Sequence, residues 1–474
     1  MLSIMWTLNR FGDNLAVIDE EGNKYSYNRL YWESDKLASY VKSGRCLIFC
    51  LCLNEFGSLL GYVTFINNRI VPLLLDAHLD RELLSALLDN YKPDYLWLPT
   101  SMANEFDQFD KVYSVFNYAL LKTPYTKEYP LYDELALLLT TSGSTGSPKL
   151  VRQSYTNIKS NTESIVEYLD IDETERPITT LPMNYTYGLS ILNTHLYVGA
   201  SIILTRKTLM QKEFWQQFKE YEATSFGGVP YIYEMLDKLR FFRMNLPSLR
   251  TMTQAGGKLS QELHKKFAEY ALETGKKFMV MYGQTEATAR MSYLPHDKSL
   301  EKCGSIGVAI PGGKFSLIDV HGKEITQPNV TGELMYEGKN VTLGYAVSGV
   351  DLAKGDERCG ILATGDMALC DNDGYYYIVG RKKRFLKIYG NRVNLDEIEI
   401  IVKDAFNDLD CACSGVDDAL YVFINDDNKV SDVKKHLSNK TGINQVAIKV
   451  VFLDTLPRSD SGKIQYSELD EYYL

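Results

Sequence analysis

The chain is poor in the features that would mark it as a secreted, membrane-spanning or nucleic-acid-binding protein. Its 474 residues hold eight cysteines, Cys46, Cys50, Cys52, Cys303, Cys359, Cys370, Cys411 and Cys413, with no C-x-x-C pair and no paired metal-ligand spacing. Neither a disulfide framework nor a cysteine metal site is indicated, and reduced, mostly buried thiols are expected. No apolar run approaches the roughly 20 residues that span a bilayer. The opening "MLSIMWTLNRFGDN" has no basic stretch followed by a long apolar one, so a cytoplasmic protein without membrane insertion is expected. Positive charge is also short: 51 Lys and Arg against 61 Asp and Glu leave a net charge of −10. That balance argues against a nucleic-acid partner, because phosphate neutralisation needs a basic footprint.

What is present reads as a large globular α/β protein. Hydrophobic residues at 45% and charged residues at 24% are globular averages, and the length predicts two or more compact units. "DNLAVIDEEGNKYSYNRLYWESDKLASYV" predicts strand, turn, strand, and a helix opening near Ser26 or Asn28. "CLIFCLCL" suits a strand buried on both faces. Strand and helix patterns alternate through "ITTLPM", "ASIILT", "TSFGGVP", "RTMTQAGG" and "KFMVMYG", which predicts layered sheets, mostly parallel, with sites at the strands' carboxyl ends. From about Gly304 short strand and turn signals predict a β-rich subdomain over 304–382. A boundary near Lys383 then leaves 1–382 as a large N-terminal domain and 383–474 as a small α+β C-terminal lobe.

One stretch stands out, "LLLTTSGSTGSPKLV". An apolar strand breaks into Thr141, Ser142, Gly143, Ser144, Thr145 and Gly146, followed by Lys149. Such a loop can aim successive backbone N–H groups at one anion, with hydroxyls as added donors and glycines allowing close approach. A phosphate is the natural guest. The spacing is not that of a P-loop, since Gly143 and Gly146 are too close and Leu150 follows the lysine. Taken alone, the stretch suits a flexible surface loop as well.

Four further stretches decide the matter. "TSGSTGSPK" resembles the phosphate loop of the adenylate-forming enzymes, which include acyl-CoA synthetases, luciferase-like enzymes and peptide-synthetase adenylation domains. "MYGQTEAT", "ATGDMA", "GRKKRFLKIYGNRVNLDEIE" and "LPRSDSGKIQ" resemble that superfamily's later signatures, in the same order and at similar separations. The resemblance covers nearly the whole chain.

It implies an AMP-forming ligase that uses ATP and Mg2+ to convert a carboxylic acid to an acyl-adenylate and then to a thioester. Lys463 is similar to the family's catalytic lysine, Glu286 to its magnesium-binding acid and Thr285 to the neighbouring phosphate-binding hydroxyl. Tyr282, with Gly283 and Gln284 beside it, would lie against adenine, and Gly256, Gly257 and Lys258 near the base's edge. Asp366 would accept from both ribose hydroxyls, with Arg381 as a second contact. Lys383 stands at the hinge position, where many relatives carry an acid, and Lys387 and Gly390 belong to the loop expected to serve the thiol step.

The resemblance also implies an acyl pocket from "LPMNYTYGLSIL" and "SFGGVPYIYEML", with Asn184, Tyr185, Gly188, Gly228 and Tyr231 as lining candidates. Asn184 and Tyr185 depart from the family's usual aromatic or histidine there. No aspartate is present to hold a substrate ammonium, so an uncharged acyl or hydroxyacyl substrate is expected, with an amino-acid–carrier ligase as the alternative. The acceptor is coenzyme A or a separate carrier protein, and the run Arg381, Lys382, Lys383, Arg384, Lys387, Arg392 is a candidate surface for either. A binding module without chemistry is the third reading. Retention of Lys463, Glu286, Thr285, Asp366 and the glycine-hydroxyl loop argues against it.

Overall fold

Antiparallel strands can be joined by a few residues, whereas parallel strands need a crossover of a dozen or more. In a computed structural model that describes residues 6–125, 129–140, 149–382, 384–389, 391–406, 409–458 and 464–473, connection length sorts the strands in this way. Leu47–Cys52, Val71–Asp76, Tyr95–Pro99 and Leu135–Thr140 pair in parallel at the centre of an eight-stranded sheet. Both flanks are antiparallel, so the sheet is mixed rather than mostly parallel. On one flank Asp110–Val115 turns into Tyr118–Lys122 through Phe116 and Asn117, both at positive φ (48° and 60°). That is the backbone of a two-residue hairpin turn, written without the usual Asn-Gly signal.

The described residues form two compact units. One takes in 6–140, 149–314 and 337–362, the other 315–336 and 363–473. In the first, every position of Leu47–Cys52 is buried, as expected of a strand covered on both faces. Helix Phe56–Asn67 packs on this sheet and is buried from Phe56 to Ile66, which explains why its sequence is apolar all round. Helix Tyr27–Ala38 opens where the sequence suggested, with the Ser26 side chain accepting from the Arg29 N–H.

A second sheet of the same unit positions the site. Ser225–Gly228, Thr251–Gln254 and Lys277–Tyr282 run parallel, and Ser292–Tyr293 and Val308–Ala309 add antiparallel. The register sets Gly228 beside Gln254 and Gln254 beside Val280, so the three carboxyl ends lie together. "ITTLPM" forms no full strand. Pro177 just before it bridges Ser225 and its Ile178 bridges Ile203, since the prolines at 177 and 182 supply no N–H to a ladder.

The second unit holds most of a four-stranded sheet, Gly313–Ile318, Gly332–Gly338, Ile361–Cys370 and Tyr376–Arg381. It also holds a three-stranded sheet, Cys411–Val416, Ala419–Ile424 and Ile448–Phe452, with helices Leu395–Ala405 and Val430–Thr441. The crossover through Val430–Thr441 makes the last pair parallel. All eight cysteines are free, and five are buried.

Candidate active site

The strand Lys277–Tyr282 ends at the tightest point of the site. A Cβ on Gly283 would fall 1.7 Å from the Ala289 carbonyl oxygen, so the residue after Tyr282 has to be glycine for the chain to fold back upon itself. The return brings Thr285 and Glu286 into a short 3-10 turn, Thr285–Ala287. Its geometry is fixed from outside: the Glu286 carbonyl accepts from the Thr342 N–H and Oγ1, both at 3.0 Å, and from Arg358 Nη1 at 3.3 Å.

The Glu286 carboxylate is held as well. Tyr345 donates its hydroxyl to Glu286 Oε1 at 2.7 Å. Burial, with the Glu286 carboxylate adding to it, pushes the Tyr345 hydroxyl up to about 12, so it remains a donor at neutral pH. The Arg358 guanidinium sits 4.7 Å from the Tyr345 ring centroid and Lys149 Nζ 5.8 Å from it. One carboxylate and two cations thus gather around a single ring, an arrangement suited to a polyanion carrying a divalent cation. Neither Tyr345 nor Arg358 was singled out from the sequence. Tyr345 lies on Gly344–Ala346, paired opposite Val151 in the strand Leu150–Ser154, so this long-range antiparallel pairing carries it to Glu286 although 59 residues separate the two.

The other nucleotide candidates of the first unit follow strand ends of the same sheet. Tyr282 is half-buried, and Gln284 Nε2 donates to its hydroxyl at 3.2 Å. Gly256 takes positive φ (84°), a Cβ on Gly257 would meet Pro230 Cγ at 3.0 Å, and Lys258 is exposed. In the second unit Asp366 is buried in register with Arg381, whose Nε lies 3.6 Å from Asp366 Oδ1. Thr141, Ser142, Gly143, Ser144, Thr145 and Gly146 fall outside the described residues, as do Lys383, Gly390 and Lys463. The strands on either side of the first group pair Thr140 with Leu150, and Arg458 bridges Ile464 beside the last.

Of the acyl candidates, Gly188 lies on helix Thr186–Val198, Tyr185 directly precedes that helix, and Gly228 ends a strand. A Cβ on Gly188 would fall 2.3 Å from the Pro182 carbonyl oxygen, one on Gly227 3.0 Å from Tyr187 Oη, and one on Gly228 2.8 Å from Ile232 Cγ2. Tyr185 and Tyr187 have ring centroids 6.3 Å apart, and burial pushes the Tyr185 hydroxyl up to about 12. Asn184 is half-buried, its Oδ1 without a donor among the described residues. Tyr231 is 45% exposed on helix Pro230–Lys238.

The basic run needs a correction. Arg384 is buried, pairing through Nε with Asp396 and through Nη2 with Glu399 at 2.6 Å, and stacking 3.8 Å over the Tyr466 ring. It belongs to the core of the small lobe, because a buried guanidinium requires paired carboxylates. Lys382 is exposed and paired with Glu333 at 2.7 Å. Lys387 is exposed, and its N–H donates to Asp417 Oδ1 at 2.8 Å.

Magnesium is the one metal the fold implies. Among the described residues no group of three or more His, Cys, Asp or Glu is arranged to hold a metal ion. A single carboxylate with one oxygen engaged by Tyr345 nevertheless fits Mg2+, which keeps its waters and takes its remaining ligands from phosphate oxygens.

The AMP-binding enzyme family matches residues 80–346. Oxalate–CoA ligase of Arabidopsis thaliana is 28% identical over 356 residues, 72% of this chain and 68% of that protein. Long-chain-fatty-acid–CoA ligase of Salmonella typhimurium is 28% identical over 364 residues, 73% of this chain and 63% of that protein. The chain thus spans about two thirds of the length of these curated relatives. Among solved structures, ATP-bound MatB from Rhodopseudomonas palustris has a TM-score of 0.80 at 22% identity, covering 99% of both chains. O-succinylbenzoate coenzyme A synthetase from Bacillus subtilis with ATP and magnesium has a TM-score of 0.79 at 21% identity, covering 98% of both. At these identities the likeness to solved structures is one of fold. The helix inventory contains no helix long and apolar enough to cross a membrane among the described residues. Matched by its family over more than half of its length, the chain belongs to the AMP-binding enzymes, the adenylate-forming superfamily of ATP-dependent, AMP-forming ligases.

Proposed function

We propose that the protein is an acid–thiol ligase that works in two half-reactions. In the first, a carboxylate oxygen attacks the α-phosphorus of ATP, the bond to the β-phosphate oxygen breaks, and pyrophosphate leaves an acyl-adenylate behind. In the second, a thiol attacks the acyl carbon, AMP leaves, and the thiol proton goes to solvent. The observation that carries this reading is the fixed Glu286, clamped through its carbonyl by Thr342 and Arg358 and through its carboxylate by Tyr345.

The carboxylate is already a nucleophile, so the first step needs charge management rather than a general base. Glu286 would hold Mg2+ through its remaining oxygen, and that ion, when bound, neutralises triphosphate charge. Lys149, Arg358 and the hydroxyl of Thr285 serve the phosphates, together with donors of the 141–146 loop. Tyr282 offers its ring to adenine, and Asp366 accepts from the ribose hydroxyls. Lys463 reaches the carboxylate and α-phosphate oxygens, as a long flexible ammonium can. Rotation at Lys383 then exchanges Lys463 for the 387–390 segment, letting one pocket serve two transition states.

Relatives named as CoA ligases support coenzyme A as the thiol over a carrier protein. The test is ATP–pyrophosphate exchange across a panel of carboxylic acids, repeated as AMP release with coenzyme A and with phosphopantetheinylated carriers. Acid-dependent exchange and coenzyme-A-dependent AMP formation are expected. Failure of every acid to support exchange defeats the proposal, and exchange with amino acids alone replaces it with the amino-acid ligase.

A further inference from the structure

Three buried asparagines spend their side chains on main chain near Glu286. Helix Tyr155–Leu169 opens directly after strand Leu150–Ser154 with a capping box, in which Asn157 Oδ1 accepts from the Ser154 N–H at 2.8 Å. Its Nδ2 is not needed for the cap and donates to the Lys339 and Val341 carbonyls, both at 2.8 Å. One helical turn on, and so on the same helix face, Asn161 donates through Nδ2 to the Arg290 carbonyl at 2.9 Å and accepts from the Arg290 N–H at 3.4 Å. Asn340 stands between the two carbonyls that Asn157 holds. Its Nδ2 donates to the Ala287 carbonyl at 2.9 Å and to the Arg290 carbonyl at 3.0 Å, and its own carbonyl accepts from Thr288 Oγ1 at 2.7 Å. None of the three is more than 5% exposed.

Asparagine is a weak helix former, and a buried amide is tolerated only when it is bonded. What it adds over an apolar side chain is direction. Each bond here fixes a carbonyl or an N–H of a segment that regular structure does not hold. Just after the Thr285–Ala287 turn, Thr288 takes φ 68°, a left-handed backbone that a β-branched residue adopts only when its surroundings impose it. The Thr186 hydroxyl donates to the Thr288 carbonyl and adds a further tie. Together with the Thr342 bonds to the Glu286 carbonyl, these contacts restrain residues 286–290 from one end to the other.

We infer, resting on the ligase reading, that Asn161 and Asn340 are positioning residues for the Glu286 carboxylate. Asn157 grips the 339–341 segment, Asn161 grips Arg290, and Asn340 joins the two. The turn bearing the acid is thereby tied to the strand and helix that follow Lys149 in the chain. Lys149 and Glu286 both meet Tyr345, one at its ring and the other at its hydroxyl, and the asparagines keep that meeting in one geometry. An acid that shares a divalent cation with a phosphate gains affinity for the ion from such preorganisation, and loses affinity when its turn is free to move.

The experiment compares Asn340→Ala and Asn161→Ala with Leu37→Ala, a core variant on helix Tyr27–Ala38 that costs stability without touching any of these bonds. Two quantities are read: Mn2+ binding to the protein with ATP present and no acid, followed by electron paramagnetic resonance, and the Mg2+ concentration for half-maximal ATP–pyrophosphate exchange. Asn340→Ala should weaken Mn2+ binding roughly fivefold and raise the half-saturating Mg2+ by a similar factor. Asn161→Ala should move both in the same direction, and Leu37→Ala should move neither. Metal affinity unchanged in both asparagine variants, or weakened equally by Leu37→Ala, overturns the inference. Should Asn340→Ala fail to fold, Asn161→Ala decides, because Asn340 still holds the Arg290 carbonyl in it. Mn2+ binding that is lost in Glu286→Gln but kept in both asparagine variants sinks this inference alone, whereas binding that ignores Glu286→Gln as well removes the metal role given to that acid, and with it both readings.

Discussion

Tyr345 donates its hydroxyl to Glu286 Oε1 at 2.7 Å. The bond commits one carboxylate oxygen to the protein. It also orients the acid that follows the glycine-forced fold-back at Gly283. A free glutamate at a turn samples several rotamers, whereas this one is fixed at both carbonyl and carboxylate, which is what a site needs if charge is to be stabilised without reorganisation.

Removing either partner should therefore be felt in the first half-reaction. Glu286→Gln is expected to lower ATP–pyrophosphate exchange by roughly 10²–10³-fold, and Tyr345→Phe by roughly tenfold, the loss of one hydrogen bond to a charged group. Both should raise the Mg2+ concentration needed for half-maximal rate. An unchanged Mg2+ dependence in Glu286→Gln would remove the acid from the metal's shell.

Lys463→Ala separates the two half-reactions. Adenylate formation should fall by roughly 10²-fold or more, while thioester formation from preformed acyl-adenylate changes little. Single-turnover assays of each step measure this. Equal losses in both would contradict the role given to the lysine.

Gly283→Ala tests the turn itself. With its Cβ placed 1.7 Å from the Ala289 oxygen, the variant should lose about 2 kcal/mol or more in urea denaturation. Exchange activity should drop with it, because the Thr285–Ala287 turn must shift. Wild-type stability in this variant would show that the fold-back is looser than described.

Acid should weaken the first unit before its carboxylates titrate. Burial lowers both His195 and His264 to about 4. His264 Nδ1 accepts from the Gly304 N–H at 3.2 Å, and Nε2 faces Ser299 Oγ at 3.0 Å, a contact that works against the lowering by burial without cancelling it. The unfolded chain takes up protons from about pH 6.5, and the folded chain takes them up only near pH 4. Stability is therefore full above pH 6.5 and is lost as pH falls toward 4, by on the order of a few kcal/mol in total. Urea midpoints measured from pH 7.5 to 4.5 should fall along that window, and His264→Gln should flatten part of the slope. A midpoint constant over the window would count against the burial of both rings.

The parts of the molecule that were legible beforehand are those whose constraint is local. Leu47–Cys52 is apolar at each position because both its faces are covered, and Ser26 announces its helix by capping it. Gly283 and Glu286 sit in one short stretch because a strand end must reverse and present an acid within a few residues. One flank of the large sheet was misjudged because Phe116–Asn117 makes a hairpin turn without the Asn-Gly pair that signals one.

The sequence alone thus determined the superfamily and the layered α/β class, since both are written in short runs of consecutive residues whose spacing is set by one turn or one strand. Only the tertiary structure decided how charges are partnered. Arg384 left the basic surface run because Asp396 and Glu399 fold against it, Tyr345 joined Glu286 across 59 residues, and Arg290 was buried against the Tyr187 ring. A side chain's type is local, but its dielectric surroundings and its counter-ion are supplied by segments that meet only when the chain has folded.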